Sequence, residues 1–538
     1  MAVHNLCLIL KNHLDDSQFL LLKQPRPPKF GDDEYDSYVD SDLWDLPSTQ
    51  LNNRQGDSQP RIAFASEEES YLENIDLRKF DVDSALNRIL GQVGFGTADE
   101  GEWKFWKHVE EAEFGPGPPV HTVFIVGSRA ANQNSQVGLI PKLEDANSES
   151  YKWMSVRSCL DWLLEVKPNN DRVGPLVVTG LLNDSLQSRE RKALCDLKYQ
   201  EYPPGVTLVP MRSRTAKPFD TTNLVVFAPD KASDYSENIN FVAHGDALIV
   251  DPGCCSQFHK ELKSIIDTLP KKLVVFLTHH HRDHVDGLSV VQQCHPDATL
   301  LAHENTMRRI GKGDWSLGYT PISGSEDICI GGQRLSVIFA PGHTDGHLAL
   351  LHVSTHSLIV GDHCVGQGSA VLDITSGGNM TEYFKSTYNF MDLSPHILIP
   401  MHGRVNLWPK HMLCAYLKNR RSRETSILKA IENGAQTLFD IVANVYSEVD
   451  HRFWIPAASN VRLHVDHLAQ QDKLPKDFSI QKFKKTCRLN FLSRWILAYL
   501  SSKFELKHQK LGGTKLLIAG VVVGFSILYC VKDKLSSK

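Results

Sequence analysis

Short apolar runs of four to eight residues recur along most of the chain, separated by polar stretches, and this pattern is typical of an α/β protein. In the first 200 residues, strands are predicted at 3–10, 18–23, 121–126 and 175–180, and helices at 83–90 and 153–164. The first two strands are expected to form a hairpin. Inserts at 25–38 and 98–119 are polar, acidic or rich in Gly and Pro, which indicates surface loops on one α/β domain.

A second domain is predicted to begin near Pro203, because short strands recur from Thr207 onward with helices between them. The strands are predicted at 224–228, 240–244, 247–250, 273–278, 299–302, 334–339, 348–352, 357–360 and 396–401. Helices are predicted at 258–268, 288–293 and 381–391. Between 419 and 473 the pattern becomes helical with one short extended piece, which indicates a further small domain.

Composition is ordinary for a globular protein, since 41% of the 538 residues are hydrophobic and 22% are charged. It excludes a disordered, collagenous or polytopic membrane protein. The net charge is −5. The segment from Gln471 to Lys515 contains 11 Lys and Arg but only 3 Asp and Glu, so the rest of the chain is acidic. Nucleic acid bound nonspecifically over the whole surface is therefore not expected. Eleven cysteines without a C-x-x-C motif indicate reduced thiols in a cytosol-like compartment.

One apolar run near the C-terminus, residues 516–531, stands between Lys515 and Lys532. At about 1.5 Å per residue a helix of this length would cross most of a bilayer core, so the run predicts a transmembrane tail anchor; a buried core helix is the alternative. The basic stretch 476–515 would then be a juxtamembrane segment against an anionic surface. The expected localisation is a single-pass, tail-anchored membrane protein whose catalytic domain faces the cytosol, with the outer membrane of a mitochondrion or plastid preferred.

Histidines are concentrated in one stretch, with 13 of the 24 lying between His279 and His402. The run 273–278 predicts a buried strand, and the residues after it are His279-His280-His281-Arg282-Asp283-His284. Residues at i and i+2 of an extended segment project to the same side, so His279 and His281 can share one metal while the next turn presents Asp283 and His284 to a second. Imidazole and carboxylate ligands suit zinc and also accept manganese or iron. A surface polyhistidine patch is the alternative.

Three later motifs have the same form, a histidine or aspartate in a Gly-containing turn after an apolar strand: PGHTDGH at 341–347, IVGD at 359–362 and PMHG at 400–403. Together with THHHRDH at 278–284 they resemble, in order and spacing, the metallo-β-lactamase fold, an αββα sandwich. The resemblance implies a first metal on His279, His281 and His343 and a second on Asp283, His284 and His402, with Asp362 bridging. It also implies two Zn²⁺, or Mn²⁺ or Fe, and a bridging hydroxide that hydrolyses an acyl carbon or a phosphorus.

Other residues receive secondary roles from the same resemblance. Asp283 could relay a proton and is the predicted catalytic residue. Asp251, in the turn that closes an early strand, is expected to orient a ligand histidine from the outer shell. His347 and His363 stand beside ligands and are expected to be outer-shell or substrate contacts.

The subfamily is narrowed by the spacing of the ligands. Only 19 residues separate His343 from Asp362 and 40 separate Asp362 from His402, which leaves no room for the inserted domain of the β-CASP nucleases. The connection after His402, with Arg420-Arg421 and Arg423-Glu424 followed by helices at 437–446 and 457–470, resembles the beta-lactamase-like protein 2 type of endoribonuclease and its winged-helix domain.

That resemblance implies cleavage of phosphodiester bonds in single-stranded RNA. Basic side chains near His402 are candidates to bind the RNA backbone, namely Arg404, Lys410, Lys418, Arg420, Arg421 and Arg423. Hydrolysis of a thioester, as in glyoxalase II, or of a lactone is the alternative, and a membrane-tethered scaffold is the non-enzymatic one. The expected partners are RNA or a small acyl substrate, a membrane through the C-terminal helix, and a second copy in a homodimer.

The N-terminal region resembles a Nudix hydrolase through FLLLKQPRPP and LWDLPSTQL. At the positions where Nudix enzymes carry the carboxylates of a magnesium site, this chain has Asn87, Arg88, Gly91 and Gln92, so only the fold is expected. The predicted domains are a Nudix-like domain without catalytic carboxylates at 1–195, a metallo-β-lactamase domain at 203–410, a winged-helix domain at 411–475, the basic segment at 476–515 and the tail anchor at 516–531.

Overall fold

The computed structural model describes residues 2–54, 75–94, 98, 101–129, 150–182, 198–229 and 240–508. The chain forms two compact units. Unit 1 consists of Met1–Ala370 and Glu382–Leu417, and unit 2 of Val371–Thr381 and Lys418–Lys538.

The strands of the described residues are numbered in chain order. They are β1 Val3–Leu10, β2 Gln18–Lys23, β3 Leu43–Asp45, β4 Ser48–Gln50, β5 Gly101–Glu110, β6 Val120–Arg129, β7 Tyr151–Ser155, β8 Arg172–Val173, β9 Gln200–Glu201, β10 Val206–Arg212, β11 Thr221–Phe227, β12 Phe241–Gly245, β13 Ala247–Val250, β14 Leu273–Phe276, β15 Thr299–Ala302, β16 Thr320–Pro321, β17 Asp327–Ile330, β18 Gln333–Phe339, β19 Leu348–His352, β20 Ser357–Gly361 and β21 Ile397–Pro400.

The α-helices are numbered in the same way. They are α1 Asp33–Asp36, α2 Val82–Gln92, α3 Val156–Leu164, α4 Pro175–Val177, α5 His259–Asp267, α6 Arg282–Val285, α7 Leu288–Cys294, α8 Glu304–Met307, α9 Met380–Leu393, α10 Pro409–Glu432, α11 Leu438–Val445, α12 Trp454–Gln470, α13 Ile480–Lys485 and α14 Leu489–His508.

Two four-stranded sheets make up the N-terminal part, with strand orders β4-β1-β6-β5 and β7-β2-β3-β8. Strands β1 and β6 run parallel over eight residue pairs, and β5 is antiparallel to β6. The amphipathic helix α2 buries Leu86 and Ile89 against β1 and β6, where Leu6 and Val123 have no exposed surface. The Nudix resemblance of this part stays a prediction.

Three local predictions in this region are wrong. The insert at 98–119, predicted to be a surface loop, contains the ten-residue strand β5. Strands β1 and β2 do not form a hairpin, because β1 pairs with β4 and β6 whereas β2 pairs with β3 and β7. Residues 175–180 are helical instead of extended, forming α4 and the first residues of the helical turn Val178–Leu182. The buried carboxylate of Asp45 accepts the backbone N–H groups of Leu176 and Val177 and so caps this turn at its start.

The remainder of unit 1 is a sandwich of two larger sheets, with orders β16-β15-β14-β13-β11-β10-β9 and β12-β17-β18-β19-β20-β21. Their facing sides share one apolar core, to which Leu248 and Phe276 contribute from one sheet and Leu350 and Ile359 from the other. Helices α5 and α7 cover the outer side of the seven-stranded sheet, where Leu262, Ile265 and Val291 are buried. Helix α9 carries Tyr383, whose ring stacks on His363 next to β20. This arrangement confirms the predicted αββα sandwich.

Unit 2 is helical throughout its described residues. Its core joins the second half of α10 to α11, α12 and α13 through buried apolar side chains that include Ile427, Ile441, Val461 and Phe483. Helices α11 and α12 confirm the two helices predicted at 437–446 and 457–470.

The predicted localisation requires a correction. Among the helices that the structure describes, none combines the length and the apolar character needed to cross a bilayer. This finding contradicts the single-pass, tail-anchored protein predicted from 516–531, and those residues themselves lie outside the described part of the chain.

Candidate metal centre

The predicted ligands all follow the ends of strands in the sandwich. His279, His281, Asp283 and His284 come after β14, in the seven-stranded sheet, and the last two lie in the short helix α6. His343 follows β18, Asp362 follows β20 and His402 follows β21, all in the six-stranded sheet. The buried strands therefore bring together side chains that are spread over the 124 residues from His279 to His402.

The first group consists of His279, His281, His343 and Asp362, whose ligand atoms all lie within 4.8 Å of one another. Nδ1 of His281 is 2.9 Å from Nε2 of His279 and 3.1 Å from Nε2 of His343. Three imidazole nitrogens pointing at a common centre are the donor set that zinc prefers in catalytic sites.

The second group consists of Asp283, His284 and His402, again within 4.8 Å of one another. Nε2 of His402 is 3.3 Å from Oδ2 of Asp283. Asp362 lies between the two groups, because its Oδ2 is 3.8 Å from Nε2 of His343 and 3.5 Å from Nε2 of His284. Asp362 could therefore contact cations held by either group, and its bridging role stays a prediction.

Asp251 supports the second group from behind. Its Oδ2 accepts Nδ1–H of His284 at 2.8 Å and the Thr278 hydroxyl at 2.6 Å, and its Oδ1 accepts the backbone N–H of Thr278. Because Nδ1 of His284 is used in this way, its Nε2 is left to face the centre. The Thr278 hydroxyl also lies 2.9 Å from Nδ1 of His279, so Asp251 and Thr278 together orient a ligand of each group. Sequence reasoning found Asp251 but missed Thr278, although it directly precedes His279.

Two buried atoms at the centre fit a bound cation. Nε2 of His284 and Oδ1 of Asp362 have no hydrogen-bond partner among the described residues, although both residues are almost fully buried. A buried polar atom without a partner is costly, so these atoms are suited to coordinate an ion.

The electrostatics agree with this geometry. Burial, followed by the neighbouring histidines His284 and His281, holds the pKa of His279 well below its usual value, so its ring is a neutral donor. Burial also acts to lower the pKa of His402, but the carboxylates of Asp362 and Asp283 outweigh it and raise that pKa to about 9 in the metal-free protein. A cation would replace the proton that these carboxylates otherwise attract.

His347 and His363 have different positions. His347 accepts the backbone N–H of Asp362 at its Nε2, 3.1 Å away, and its Nδ1 lies 3.1 Å from the carbonyl of Ala340. A Cβ on Gly361, whose φ is 57°, would lie 2.4 Å from the same Nε2, so only glycine fits there. His347 thus lies behind the ligands, in contact with the backbone of Asp362, whereas His363 is fully buried and its Nε2 lies 2.8 Å from the Thr387 hydroxyl of α9. The predicted outer-shell or substrate roles of these two histidines stay predictions.

A segment of the N-terminal part, residues 111–115 after β5, reaches the centre, which the sequence did not indicate. Thr221 donates from its hydroxyl to the Glu113 carbonyl, while its own carbonyl lies 2.8 Å from Nδ1 of His402. The ring of Phe219 lies 5.7 Å from that of His402. Gly115 packs against this Phe219 ring so closely that a Cβ on Gly115 would collide with it. The Glu111 carboxylate forms two hydrogen bonds with the guanidinium of Arg404, at 2.7 and 2.8 Å. Three contacts from this segment therefore converge on the surroundings of one ligand.

The basic side chains predicted to bind RNA already have partners within each unit. In unit 1, Arg404 binds Glu111 and the ammonium of Lys410 donates to Asn169. In unit 2, Arg420 is buried and the guanidinium of Arg423 lies 4.4 Å above the ring of Tyr446. Lys418 and Arg421 also have interactions. Their role in binding RNA stays a prediction.

Comparison with known proteins gives the following matches. Residues 233–402 match the metallo-beta-lactamase superfamily and residues 437–478 match the beta-lactamase associated winged helix domain. A beta-lactamase-like protein 2 homolog of Drosophila melanogaster is 29% identical over 248 residues, which are 44% of this chain and 75% of that protein. A homolog of the same name from Caenorhabditis elegans is 24% identical over 227 residues, 41% of this chain and 75% of its own.

Solved structures give weaker matches. A beta-lactamase domain protein from Burkholderia ambifaria has a TM-score of 0.43 at 19% identity and covers 53% of this chain and 92% of its own. A metallo-beta-lactamase family protein from Thermus thermophilus has a TM-score of 0.40 at 17% identity and covers 51% and 95%. The sequence matches together with the sandwich and its strand-end histidines lead to the conclusion that this chain contains a metallo-beta-lactamase superfamily domain followed by a beta-lactamase-associated winged-helix domain.

Proposed function

We propose that the protein is a hydrolase with two zinc ions, with manganese or iron as substitutes, and that its substrate is a phosphodiester of single-stranded RNA. The observation that carries the hydrolase proposal is the position of Asp362 between the two ligand groups, with its Oδ2 3.8 Å from Nε2 of His343 in the first and 3.5 Å from Nε2 of His284 in the second. His279, His281 and His343 would hold one cation, Asp283, His284 and His402 the other, and Asp362 both.

The chemistry divides between the cations and the side chains. Two divalent cations would act as Lewis acids and lower the pKa of water toward neutrality, which supplies a nucleophile and stabilises charge on the oxygen under attack. Asp251 and Thr278 keep the ligand histidines in the required tautomer and orientation. Asp283 is the more exposed of the two carboxylates at the centre, with 14% of its side chain accessible against 12% for Asp362. Burial acts to raise the pKa of Asp283, but His284 and His402 outweigh it and lower that pKa, so the carboxylate is ionised and suited to hold a cation. Asp283 also keeps the proposed role of proton relay, which rests on the family resemblance.

The RNA proposal draws support from the winged-helix domain at 437–478 and from the similarity to beta-lactamase-like protein 2 homologs. A small acyl substrate, a thioester or a lactone, is the second candidate. The Glu111–Arg404 pair favours it, because the arginine nearest in sequence to His402 is already paired with a carboxylate, which weakens its attraction for a phosphate.

The test measures metal content and hydrolysis in the same preparation. We expect elemental analysis of the purified full chain to find at least two zinc ions per chain, and we expect cleavage of a fluorescent single-stranded RNA. His279→Ala should abolish the cleavage, whereas His280→Ala, a change of the neighbouring ring outside both ligand groups, should retain it.

The outcomes separate the candidates. Cleavage of a thioester or lactone with the RNA intact would replace the RNA proposal with the acyl one. Bound metal without hydrolysis of RNA, thioester or lactone would refute the enzymatic proposal and favour a non-enzymatic scaffold. Activity of the His279→Ala variant equal to that of wild type would remove this centre from the reaction.

A further inference from the structure

A second group of metal-ligating side chains lies in the N-terminal part, on the sheet β4-β1-β6-β5. Its members are His108 and Glu110 of β5 and His121 of β6. Glu110 is directly opposite His121 in the antiparallel pair, and His108 is two residues before Glu110 in the strand. Residues two apart in a strand, and residues opposite each other in an antiparallel pair, project to the same face. The register therefore places all three side chains together.

The ligand atoms are close enough to share one ion. Nδ1 of His121 is 3.1 Å from Nε2 of His108 and 3.8 Å from Oε1 of Glu110, and one ligand atom from each residue lies within 4.8 Å of the other two. Two ligands of a tetrahedral zinc ion, at bonds of about 2.0–2.1 Å, are roughly 3.3 Å apart. The histidine nitrogens already have nearly this separation, and the carboxylate oxygen is about half an ångström farther than this from Nδ1 of His121.

The surroundings hold these rings in place. His4 of β1 pairs with His121 in the parallel ladder, and their rings stack at 4.9 Å. The ring of His4 also packs on Phe80, with ring centroids 4.6 Å apart. Burial lowers the pKa of His108, with His121 as the next cause, so His108 is a neutral ring that can donate a lone pair. The group thus forms a partly buried polar end on a face that is otherwise apolar.

We propose that His108, Glu110 and His121 form a binding site for one zinc-like divalent cation, separate from the centre in the sandwich. Two imidazoles and one carboxylate suit zinc, and three protein ligands leave a fourth position for water or another small ligand. In the absence of a cation, the ammonium of Lys198 pairs with the other oxygen of Glu110. The side chain of Lys198 is 57% exposed, so a cation displaces it into solvent at little cost.

The test measures zinc per chain in the full-length protein. Chelator-treated protein is loaded with Zn²⁺, passed through gel filtration and measured by elemental analysis. We expect Glu110→Gln and His121→Ala each to hold one zinc ion fewer per chain than wild type. His13→Ala, which changes an exposed histidine in the same part of the chain, should hold the wild-type number.

Lys198→Met gives a measurement in the opposite direction. Removing a competing positive charge from the Glu110 carboxylate should tighten the weakest zinc binding step by roughly tenfold, the effect of one partly solvated charge a few ångströms away. Circular dichroism of each variant checks that the sheet is intact, and Glu110→Gln, which preserves the shape of the side chain, keeps the test valid if His121→Ala does not fold. Equal zinc content in wild type, Glu110→Gln and His121→Ala would overturn the proposal.

Discussion

The two groups of histidines and carboxylates in this chain are built in different ways. The centre of the sandwich collects seven side chains from the ends of four strands, five of them buried, and Asp251 and Thr278 hold two of the rings from behind. The group on the N-terminal sheet takes three side chains from two neighbouring strands, remains partly exposed and is paired with a lysine. If both proposals hold, outer-shell support and burial, more than the number of histidines, distinguish a hydrolytic centre from a site that only binds a cation.

The largest effect should follow a change of Asp362, because its carboxylate has ring nitrogens of both ligand groups within 4 Å. Asp362→Asn keeps the shape of the side chain but removes its charge, so we expect both cations to bind more weakly and hydrolysis to fall by about a thousandfold or more. Activity assays and elemental analysis measure the two effects. His280→Ala is the matched control. Retention of full activity by Asp362→Asn would show that the centre in the sandwich does not carry out the hydrolysis.

Asp251 tests the role of outer-shell support directly. Asp251→Asn removes the charge that holds Nδ1–H of His284, and we expect a loss of about 10–100-fold in metal affinity or activity, smaller than that for Asp362→Asn. Zinc titrations of the two variants under identical conditions give the comparison. An effect of Asp251→Asn below about twofold would show that burial alone orients the histidine.

Much of the sandwich and its centre could be predicted from the sequence, because each ligand follows an apolar strand and lies in a short motif. The N-terminal group could not, since His108, Glu110 and His121 lie within strands whose pairing the sequence does not display. The contact of residues 111–115 with the surroundings of His402 is hidden for the same reason, because a segment rich in Gly and Pro has the pattern of a surface loop. The helix at 175–177 depends on the carboxylate of Asp45, which lies 131 residues before Leu176.

The segment 111–115 should have a smaller effect than the ligands and their direct supports. Glu111→Ala or Arg404→Ala breaks a partly exposed pair, and we expect each to change kcat/KM by up to about tenfold, in either direction, through the positions of Phe219 and His402. Because the two residues act through one interaction, the double variant should be no worse than the more affected single variant. Effects that add in full would mean that Glu111 and Arg404 act separately on the substrate.

The last prediction concerns the stability of the fold, where we expect no effect on hydrolysis. It uses a buried histidine whose hydrogen-bond partners are neutral, and His352 is the clearest example. Its ring lies 2.6 Å from the Thr355 hydroxyl and 2.7 Å from Oε1 of Gln333, and burial lowers its pKa to about 4. A histidine whose pKa is lower in the folded state than in the unfolded state stabilises the fold in its neutral form. Its contribution is therefore complete above about pH 6.5 and is lost as the pH falls from 6.5 toward 4.

Between pH 7 and pH 5 this single ring should account for about 2 kcal/mol of lost stability, from about 1.36 kcal/mol per pH unit below the unfolded pKa. In His352→Gln the denaturation midpoint should decrease less between pH 7 and pH 5 than in wild type. His244→Gln changes an exposed histidine of the same sandwich, and its midpoint should decrease as much as that of wild type. Tryptophan fluorescence during urea denaturation at the two pH values measures both slopes. The midpoint of His352→Gln could instead fall as steeply with pH as that of wild type. That result would mean that burial among neutral partners does not lower the pKa of His352, and the contrast with His284, whose partner is the Asp251 carboxylate, would fail.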